Sequence, residues 1–314
     1  MPIPFSDRLS LPAIAAPMTA VSGTELVIAA CRAGVIGAFP THNATSPAEL
    51  GDWLDRISSA VGPADAPFAP NLIMHRSNTR LEADLETLID HGVELVITSV
   101  GSPAAAIGPL HAAGARVFAD VASLQHVDRA IEAGADGLVL LTAGAGGQTG
   151  WANPFAFVRA ARARFDGTIV VAGGMIDGAS ILAAQVLGAD LVYFGTRFIA
   201  TEESLAPEPY RAAVIEASLD EVRLSTAVGG LPASLLSAWL ERDLAAGGPG
   251  PAGEGFRQDR LLRRQSAWSA GHSVSGVRGV TSVADLVSSL RREYQAARDD
   301  MLDALLPHPQ GSER

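Results

Sequence analysis

Two glycine-containing turns in the second half of the chain have residue types that bind a phosphate group. Gly173-Gly174 follows the apolar run Thr168–Ala172, and Gly195-Thr196 follows the next apolar run along the chain. Short runs that are apolar throughout indicate strands buried on both faces. The turns after neighbouring parallel strands present backbone N–H groups side by side, and with a nearby helix N-terminus they bind phosphate without lysine. The turns therefore predict a phosphate site, although ordinary tight turns have the same local pattern.

Eight short apolar runs alternate with helical patterns and position these turns. The predicted strands cover residues 11–16, 35–39, 68–74, 93–99, 116–120, 137–141, 168–172 and 190–195. This alternation predicts an α/β fold, a (β/α)8 TIM barrel, with an open doubly wound sheet as the structural alternative. In such a barrel the active site lies at the C-terminal ends of the strands, and phosphate commonly binds after strands seven and eight. The two glycine turns fall at those two positions.

The alternation of strands and helices ends after Phe198. Residues 203–272 have a mainly helical pattern with a Gly/Pro linker at 247–253, and they predict a helical insertion after strand 8 that covers the C-terminal mouth. Residues 1–202 and 273–306 are then the barrel, which ends in a long helix that Ser282 caps. Residues 307–314 predict a disordered tail.

The composition excludes several kinds of chemistry. The chain has 314 residues, one cysteine (Cys31) and no lysine. A single cysteine excludes an internal disulfide, a cysteine-based zinc site and a self-contained iron–sulfur cluster, and we expect no metal site. The absence of lysine excludes the Schiff bases that lysine aldolases and pyridoxal enzymes form.

Net charge and hydropathy restrict the partners and the compartment. The net charge is −11 and no long basic run is present, which argues against nucleic acid or an anionic membrane as a partner. No apolar stretch approaches the roughly 20 residues of a membrane span. The first residues are broken by prolines and by Asp7 and Arg8, and make a poor signal peptide. We therefore expect a cytoplasmic protein.

Four segments of the predicted mouth suit a flat cofactor with a phosphorylated tail. Ala16-Pro17-Met18 ends strand one with a rigid proline and a polarisable methionine. Asn71 is a polar residue inside an apolar strand and needs a hydrogen-bond partner. The loop 142–150 contains Gly146 and Gly147 and lets backbone approach a ligand closely. Together with the phosphate turns, an apolar slot with amide-rich walls favours flavin mononucleotide (FMN) as the cofactor.

The order of these motifs resembles the nitronate monooxygenase family, formerly called 2-nitropropane dioxygenases, which includes flavin-dependent enoyl reductases. The resemblance covers nearly the whole chain and rests on Ala16-Pro17-Met18, Ala145-Gly146-Gly147, Ala172-Gly173-Gly174, Gly195-Thr196-Arg197-Phe198 and Trp268-Ser269-Ala270-Gly271. It implies a barrel that binds FMN non-covalently, with the phosphate at Gly173, Gly174, Gly195 and Thr196. The flavin ring is then expected to lie against Ala16, Pro17, Met18, Asn71 and Gly147. Asp120 and Gly146 are further candidates to contact the cofactor.

Three positions depart from the family pattern. The family's glycine loop commonly reads Glu-Ala-Gly-Gly-His, whereas this chain has Gly144 for the glutamate and Gln148 for the histidine. Glutamine can orient a nitronate or carbonyl oxygen, but it cannot abstract a proton from carbon. Asp120 stands where many relatives have a basic residue near the flavin. Its charge would disfavour an anionic reduced flavin, unless it points away from the ring or pairs with an arginine.

Three histidines are candidates to replace the missing family histidine. His42 lies in the loop after strand two and His75 in the loop after strand three. His272 follows the Trp268–Gly271 motif, where the family often has glutamine. Each histidine could equally be exposed to solvent or bonded to the backbone. Gln148, His42, His75 and His272 are thus the candidate catalytic residues.

The resemblance implies an enzyme, an FMN-dependent monooxygenase or related oxidoreductase. Its expected partners are a small, nitronate-like organic substrate and dioxygen or NAD(P)H. With Gln148 in the loop, we expect anionic nitronates to be preferred over neutral nitroalkanes. One alternative is an NAD(P)H-dependent reductase of an activated C=C bond or quinone, and another is a non-catalytic protein that binds flavin or a phosphorylated ligand. The oligomeric state stays open, a homodimer included.

Overall fold

The computed structural model describes residues 4–246 and 255–305, and its centre is a closed barrel of eight parallel strands. Barrel strands neighbouring in sequence pair with one another, and the last pairs with the first. The closure confirms the predicted TIM barrel and excludes the open sheet. The strands are β1 (Ala13–Ala15), β2 (Ile36–Pro40), β3 (Phe68–Ile73), β4 (Leu95–Ser99), β5 (Arg116–Val121), β6 (Gly137–Leu141), the short β7 (Gly147–Gln148) outside the barrel, β8 (Thr168–Ala172) and β9 (Leu191–Phe194).

Helices surround the barrel and continue the chain after β9. In the described residues these are α1 (Thr24–Arg32), α2 (Pro47–Ala60), α3 (Leu81–Asp90), α4 (Ala104–Ala112), α5 (Leu124–Ala133), α6 (Pro154–Arg162), α7 (Gly178–Leu187), α8 (Thr196–Ile199), α9 (Glu208–Glu216), α10 (Ser237–Ala245), α11 (Gln258–Arg263) and α12 (Val283–Leu305). The predicted cap of α12 is present, since the Asp285 N–H donates to Ser282 Oγ at 3.1 Å. No helix in the described part of the chain is long and apolar enough to cross a membrane.

Side chains alternate in direction along each strand and so form two apolar cores, one inside the barrel and one between the barrel and the helices. In β5, Val117 and Ala119 pack outward beneath the helices, whereas Phe118 fills the barrel interior. Successive strand residues point to opposite faces, so the residue two positions after an inward-facing one also points inward. By this rule Asn71, Asp120 and Tyr193 form a polar layer above the apolar barrel interior, at the C-terminal ends of the strands.

The segment that follows the barrel is mixed rather than mainly helical. Besides α9, α10 and α11 it contains β10 (Val222–Ser225) and β11 (Ala233–Leu236), which form an antiparallel sheet with β7 in the order β10-β11-β7. The strand β11 pairs with β10 of the same segment and with β7, a two-residue strand of the glycine loop far away in sequence. Periodicity within the segment cannot reveal the pairing with β7. The limits 203–272 stay a prediction. The linker at 247–253 and the tail at 307–314 lie outside the described residues.

Helix α12 packs closely on the start of α7 through a glycine. A Cβ at Gly178 would overlap the backbone nitrogen of Tyr294, and the Gly178 N–H donates to Glu293 Oε2 at 3.1 Å. We expect Gly178→Ala to lower the free energy of unfolding by about 2 kcal/mol, because a helix backbone must shift to make room. Gly108→Ala in α4 is the control, since a Cβ there meets no atom within 4 Å. It should stabilise by about 0.5–1 kcal/mol. Urea unfolding measures both, and equal changes would contradict the expectation.

Candidate active site

A cavity opens at the C-terminal ends of the barrel strands, between the barrel rim and the segment that follows β9. It contains about 1350 Å³ of space outside the protein atoms, its open mouth included. All the residues predicted to contact a cofactor line it, although they come from distant parts of the sequence. They are Ala16, Pro17, Met18, Asn71, Asp120, Gly146, Gly147, Gly173, Gly174, Gly195 and Thr196. Parallel strands bring them together because their C-terminal ends all lie at one end of the barrel.

The two predicted phosphate turns are neighbours because β8 and β9 pair in register. Gly173 and Gly174 have φ angles of +123° and +74°, which L residues rarely adopt. A Cβ at Gly173 would overlap Thr142 Oγ1, whereas a Cβ at Gly174 would meet no atom within 4 Å. Gly173 is therefore required for packing, and Gly174 leaves open space in which a ligand can approach the backbone.

The backbone amides of the β8 turn are available to an anion. Among the described residues, no acceptor is bonded to the N–H groups of Gly174 and Met175. The start of α7 is already capped, because Asp177 Oδ1 accepts from the Ser180 N–H at 2.9 Å and a second carboxylate binds the Gly178 N–H. Two carboxylates offset the positive end of the helix dipole. The start of α7 therefore has fewer free N–H groups than an uncapped helix, and the contribution of a nearby helix N-terminus stays a prediction.

Segment 268–272 joins the glycine loop to the phosphate turns. The His272 N–H donates to the Gly144 carbonyl, and the Gly271 N–H donates to Thr196 Oγ1, both at 2.9 Å. A Cβ at Gly146 would lie 2.7 Å from the Gly271 nitrogen, so the two backbones touch and no side chain fits between them. The backbone of Gly271 and His272 thus holds the cavity-lining residues Gly144, Gly146 and Thr196 in place.

Gln148 lines the cavity from β7, whose main chain pairs with Ala233 of β11. The pairing fixes the backbone of the glycine loop at this residue. In the described part of the chain no hydrogen bond holds the side-chain amide of Gln148. Its N–H donors and its carbonyl are therefore free to bind a ligand.

Of the three candidate histidines, His42 lines the cavity. Its Nε2 lies 2.9 Å from Thr19 Oγ1, and its buried Nδ1 has no hydrogen-bond partner among the described residues. Burial, assisted by the charge of Arg80, lowers the pKa of His42 to about 4. The ring is therefore neutral near pH 7. The neutral ring can donate or accept one hydrogen bond through Nδ1, but it is a weak base.

His75 and His272 lie outside the cavity lining. The His75 ring packs edge-on against Phe256, with the ring centroids 5.3 Å apart, and its Nδ1 lies 2.8 Å from Ser77 Oγ. His272 is exposed, and a Cβ at Gly144 would lie only 2.8 Å from its Nδ1. The imidazole therefore takes the space that a side chain at position 144 would need, which accounts for the glycine at that position.

The polar layer at the bottom of the cavity is only partly hydrogen-bonded. Asn71 Oδ1 accepts from Ser99 Oγ at 3.0 Å, which supplies the partner that its strand position requires. Asp120 Oδ1 and the Tyr193 hydroxyl are buried without a partner among the described residues. Burial raises the pKa of Asp120 to about 8. Asp120 thus lines the cavity instead of pointing away or pairing with an arginine, and its raised pKa favours the protonated form at neutral pH.

Sequence reasoning did not single out several residues that line the cavity. Tyr193 could have been found, because it lies two residues after the inward-facing Leu191. Val228, Leu261 and Arg264 could not, because they reach the cavity through the tertiary arrangement of the segment after β9.

A closed parallel barrel with a glycine-rich cavity at its C-terminal end is an architecture of enzymes, many of which bind a phosphorylated ligand after the last two strands. Residues 6–247 match the family model "Nitronate monooxygenase", and the chain belongs to that family. Members of the family are flavin-dependent oxidoreductases, so this chain is an oxidoreductase and not a non-catalytic binding protein.

Individual relatives agree with this assignment. The chain is 30% identical over 286 residues to nitronate monooxygenase of Pseudomonas aeruginosa, covering 76% of this chain and 80% of that protein. It is 28% identical over 250 residues to (3aS,4S,5R,7aS)-5-hydroxy-7a-methyl-1-oxo-octahydro-1H-indene-4-carboxyl-CoA dehydrogenase of Mycobacterium tuberculosis, covering 78% of this chain and 68% of the dehydrogenase. The structure of nitroalkane oxidase from Streptomyces ansochromogenes superposes with a TM-score of 0.83 at 24% identity, over 95% of this chain and 99% of that one, which shows the shared fold.

Proposed function

We propose that this chain uses FMN to oxidise small anionic nitronates, or closely related organic anions, with dioxygen. The observation that carries the proposal is the convergence of all the predicted FMN contacts in one cavity, which has Gln148 and His42 in its wall. Bound FMN would supply the redox chemistry, accepting electrons from the substrate and passing them to dioxygen.

The residues present fit FMN at both of its ends. Glycine at position 174, with the free N–H groups of Gly174 and Met175, suits a phosphate that backbone amides bind. Arg197 stabilises the chain just after this turn, because its Nη1 donates a hydrogen bond to the Ile176 carbonyl at 2.8 Å. Pro17 and Met18 give the same cavity an apolar surface, and Asn71, Asp120 and Tyr193 give it polar groups, which suits a ring with polar edges.

The groups in the cavity wall favour a substrate that arrives already deprotonated. Gln148 does not titrate. His42 has a pKa of about 4, far from the neutral range in which a general base is most effective. A neutral nitroalkane must lose a carbon-bound proton before it can donate electrons easily, whereas a nitronate has already lost it. The Gln148 amide can then donate a hydrogen bond to a nitronate oxygen.

The preference for anions can be measured by anaerobic mixing of the flavin-loaded protein with either form of one nitroalkane. We expect the nitronate to reduce the flavin at least about tenfold faster than the neutral form, a difference of roughly 1.4 kcal/mol in barrier height. Gln148→His should narrow the gap by restoring a titratable group, and Gln148→Ala should slow the nitronate reaction alone. Equal rates for the two forms in the unmodified protein would contradict the proposal.

A second candidate function is a nicotinamide-dependent reductase of an activated C=C bond or a quinone. The extent of the cavity beyond the predicted flavin contacts favours it. The lining continues past the predicted flavin contacts to Val228, Leu261 and Arg264. Arg264 is held by Asp243 at 2.8 Å and lies over the ring of Trp239, 5.7 Å from its centroid. An apolar wall with one fixed cation suits a longer substrate that bears a phosphate or carboxylate. Rapid anaerobic bleaching of bound flavin by NADPH or NADH would support this candidate, and no bleaching would exclude it.

A further inference from the structure

Two buried polar groups at the bottom of the cavity have no partner in the described chain. Asp120 lies two residues after Phe118 in β5, and Tyr193 lies two residues after Leu191 in β9, so both side chains point into the barrel. Both line the cavity, and neither Asp120 Oδ1 nor the Tyr193 hydroxyl makes a hydrogen bond there. Buried polar groups are nearly always satisfied in native proteins. An orphaned pair in the wall of a cavity therefore points to a ligand that approaches closely enough to complete it.

The surroundings favour the protonated form of Asp120. Among the described residues no arginine or histidine forms an ion pair with its carboxyl group. An unpaired carboxylate that is removed from water is strongly disfavoured, and such a group takes up a proton instead. The burial that raises the pKa of Asp120 also raises that of Tyr193, with a further contribution from Asp120 itself. Both groups therefore keep a proton to donate.

We propose that Asp120, as the neutral carboxylic acid, and Tyr193 form a pair of hydrogen-bond donors that binds acceptor atoms of the flavin ring. Carbonyl oxygens and unprotonated ring nitrogens are the acceptors that a flavin offers. The pair gives the ring two hydrogen-bond donors and no positive charge. The inference rests on flavin binding as proposed above, and it concerns how this chain binds the ring rather than which substrate it oxidises.

Ionisation of Asp120 should weaken the binding of FMN, because a donor is lost and a carboxylate is placed against acceptor atoms. The other ionisable residues that line the cavity are His42, Tyr193, Tyr210 and Arg264. His42 changes charge near pH 4, burial raises the pKa of both tyrosines, and a guanidinium keeps its charge throughout. In the described lining, Asp120 is thus the group whose charge changes just above neutral pH.

The test is the affinity of flavin-free protein for FMN, measured by fluorescence titration between about pH 6 and pH 9, either side of the Asp120 titration. We expect the unmodified protein to lose affinity by roughly tenfold or more as the pH rises. Asp120→Asn keeps the shape of the side chain and a donor, so it should bind nearly as well as the unmodified protein at low pH and lose little at high pH. Asp120→Ala should bind weakly throughout.

Two further variants test whether the change in FMN affinity comes from Asp120 and Tyr193 rather than from the loss of any carboxylate. Asp90→Asn removes an exposed carboxylate at the end of α3 and should follow the unmodified protein at every pH. Tyr193→Phe should bind FMN several-fold more weakly while keeping the dependence on pH. Because Asp120→Asn is isosteric, the measurement remains decisive even if Asp120→Ala fails to fold.

The outcomes distinguish this inference from the proposed function. If the FMN affinity of Asp120→Asn fell with pH as much as that of the unmodified protein, the inference would be overturned. It would also be overturned if Asp120→Asn and Asp120→Ala bound FMN equally weakly at low pH. Either result would leave FMN binding and nitronate oxidation standing. A chain that binds no FMN at any pH would overturn the assignment of FMN itself, and the donor pair with it.

Discussion

Replacing Gly174 with alanine is expected to weaken FMN binding by about 100-fold or more while leaving the barrel folded. A Cβ at this position meets no protein atom within 4 Å and projects into open space beside the turn. It would hold the phosphate away from the amides of Gly174 and Met175. Hydrogen bonds to a charged group contribute about 1.5–3 kcal/mol each, so losing two of them costs at least two orders of magnitude in affinity. Equilibrium titration of the flavin-free protein with FMN measures the loss.

Gly92→Ala is the matched control for backbone strain. Gly92 has a φ angle of +60°, compared with +74° at Gly174, and a Cβ there also meets no atom within 4 Å, but it lies on the surface after α3. Both substitutions should destabilise the protein by about 1–2 kcal/mol, the cost of a left-handed conformation for alanine. FMN affinity should fall in Gly174→Ala alone. An equal loss in both variants, or no loss in either, would contradict the assignment of the phosphate site.

The second large effect is expected in the stability of the flavin-free protein, which Asp120 should make dependent on pH. In the unfolded chain the carboxyl group loses its proton near its ordinary pKa of about 3.9, whereas in the folded protein it keeps the proton up to about pH 8. Between these values the folded state binds more protons, so the free energy of unfolding falls as the pH rises. The contribution of Asp120 is fully present below about pH 4 and is lost above about pH 8.

One pKa unit corresponds to about 1.4 kcal/mol, so the rise of the Asp120 pKa sets an upper limit of roughly 6 kcal/mol on its contribution, and the partial exposure of the residue reduces it to a few kcal/mol. Urea unfolding of the unmodified protein and of Asp120→Asn measures it as the difference between the two curves. His42 contributes with the opposite sign, because its lowered pKa makes stability fall as the pH drops from about 6.5 to about 4. That contribution is common to both proteins and cancels. Parallel curves would show that Asp120 is ionised in the folded state at neutral pH.

The sequence by itself determined the features that depend on neighbouring residues. The eight strands and the phosphate turns were predicted from short apolar runs and the glycines that end them, because strand burial and turn geometry have local signatures. The closed sheet then follows from the number and spacing of the strands. The polar layer of Asn71, Asp120 and Tyr193 is also implicit in the alternation of inward and outward residues, although only the first two were singled out.

Only the tertiary structure decided what depends on pairing and burial between distant segments. The strand β11 pairs with β10 of its own segment and also with β7 of the glycine loop, and no periodicity within the segment contains the second pairing. His42 lines the cavity while His75 packs on Phe256, a distinction that loop position cannot make. The proton on Asp120 was likewise beyond the sequence, because a pKa depends on how much water and which charges surround the group. That surrounding exists only once the barrel has closed.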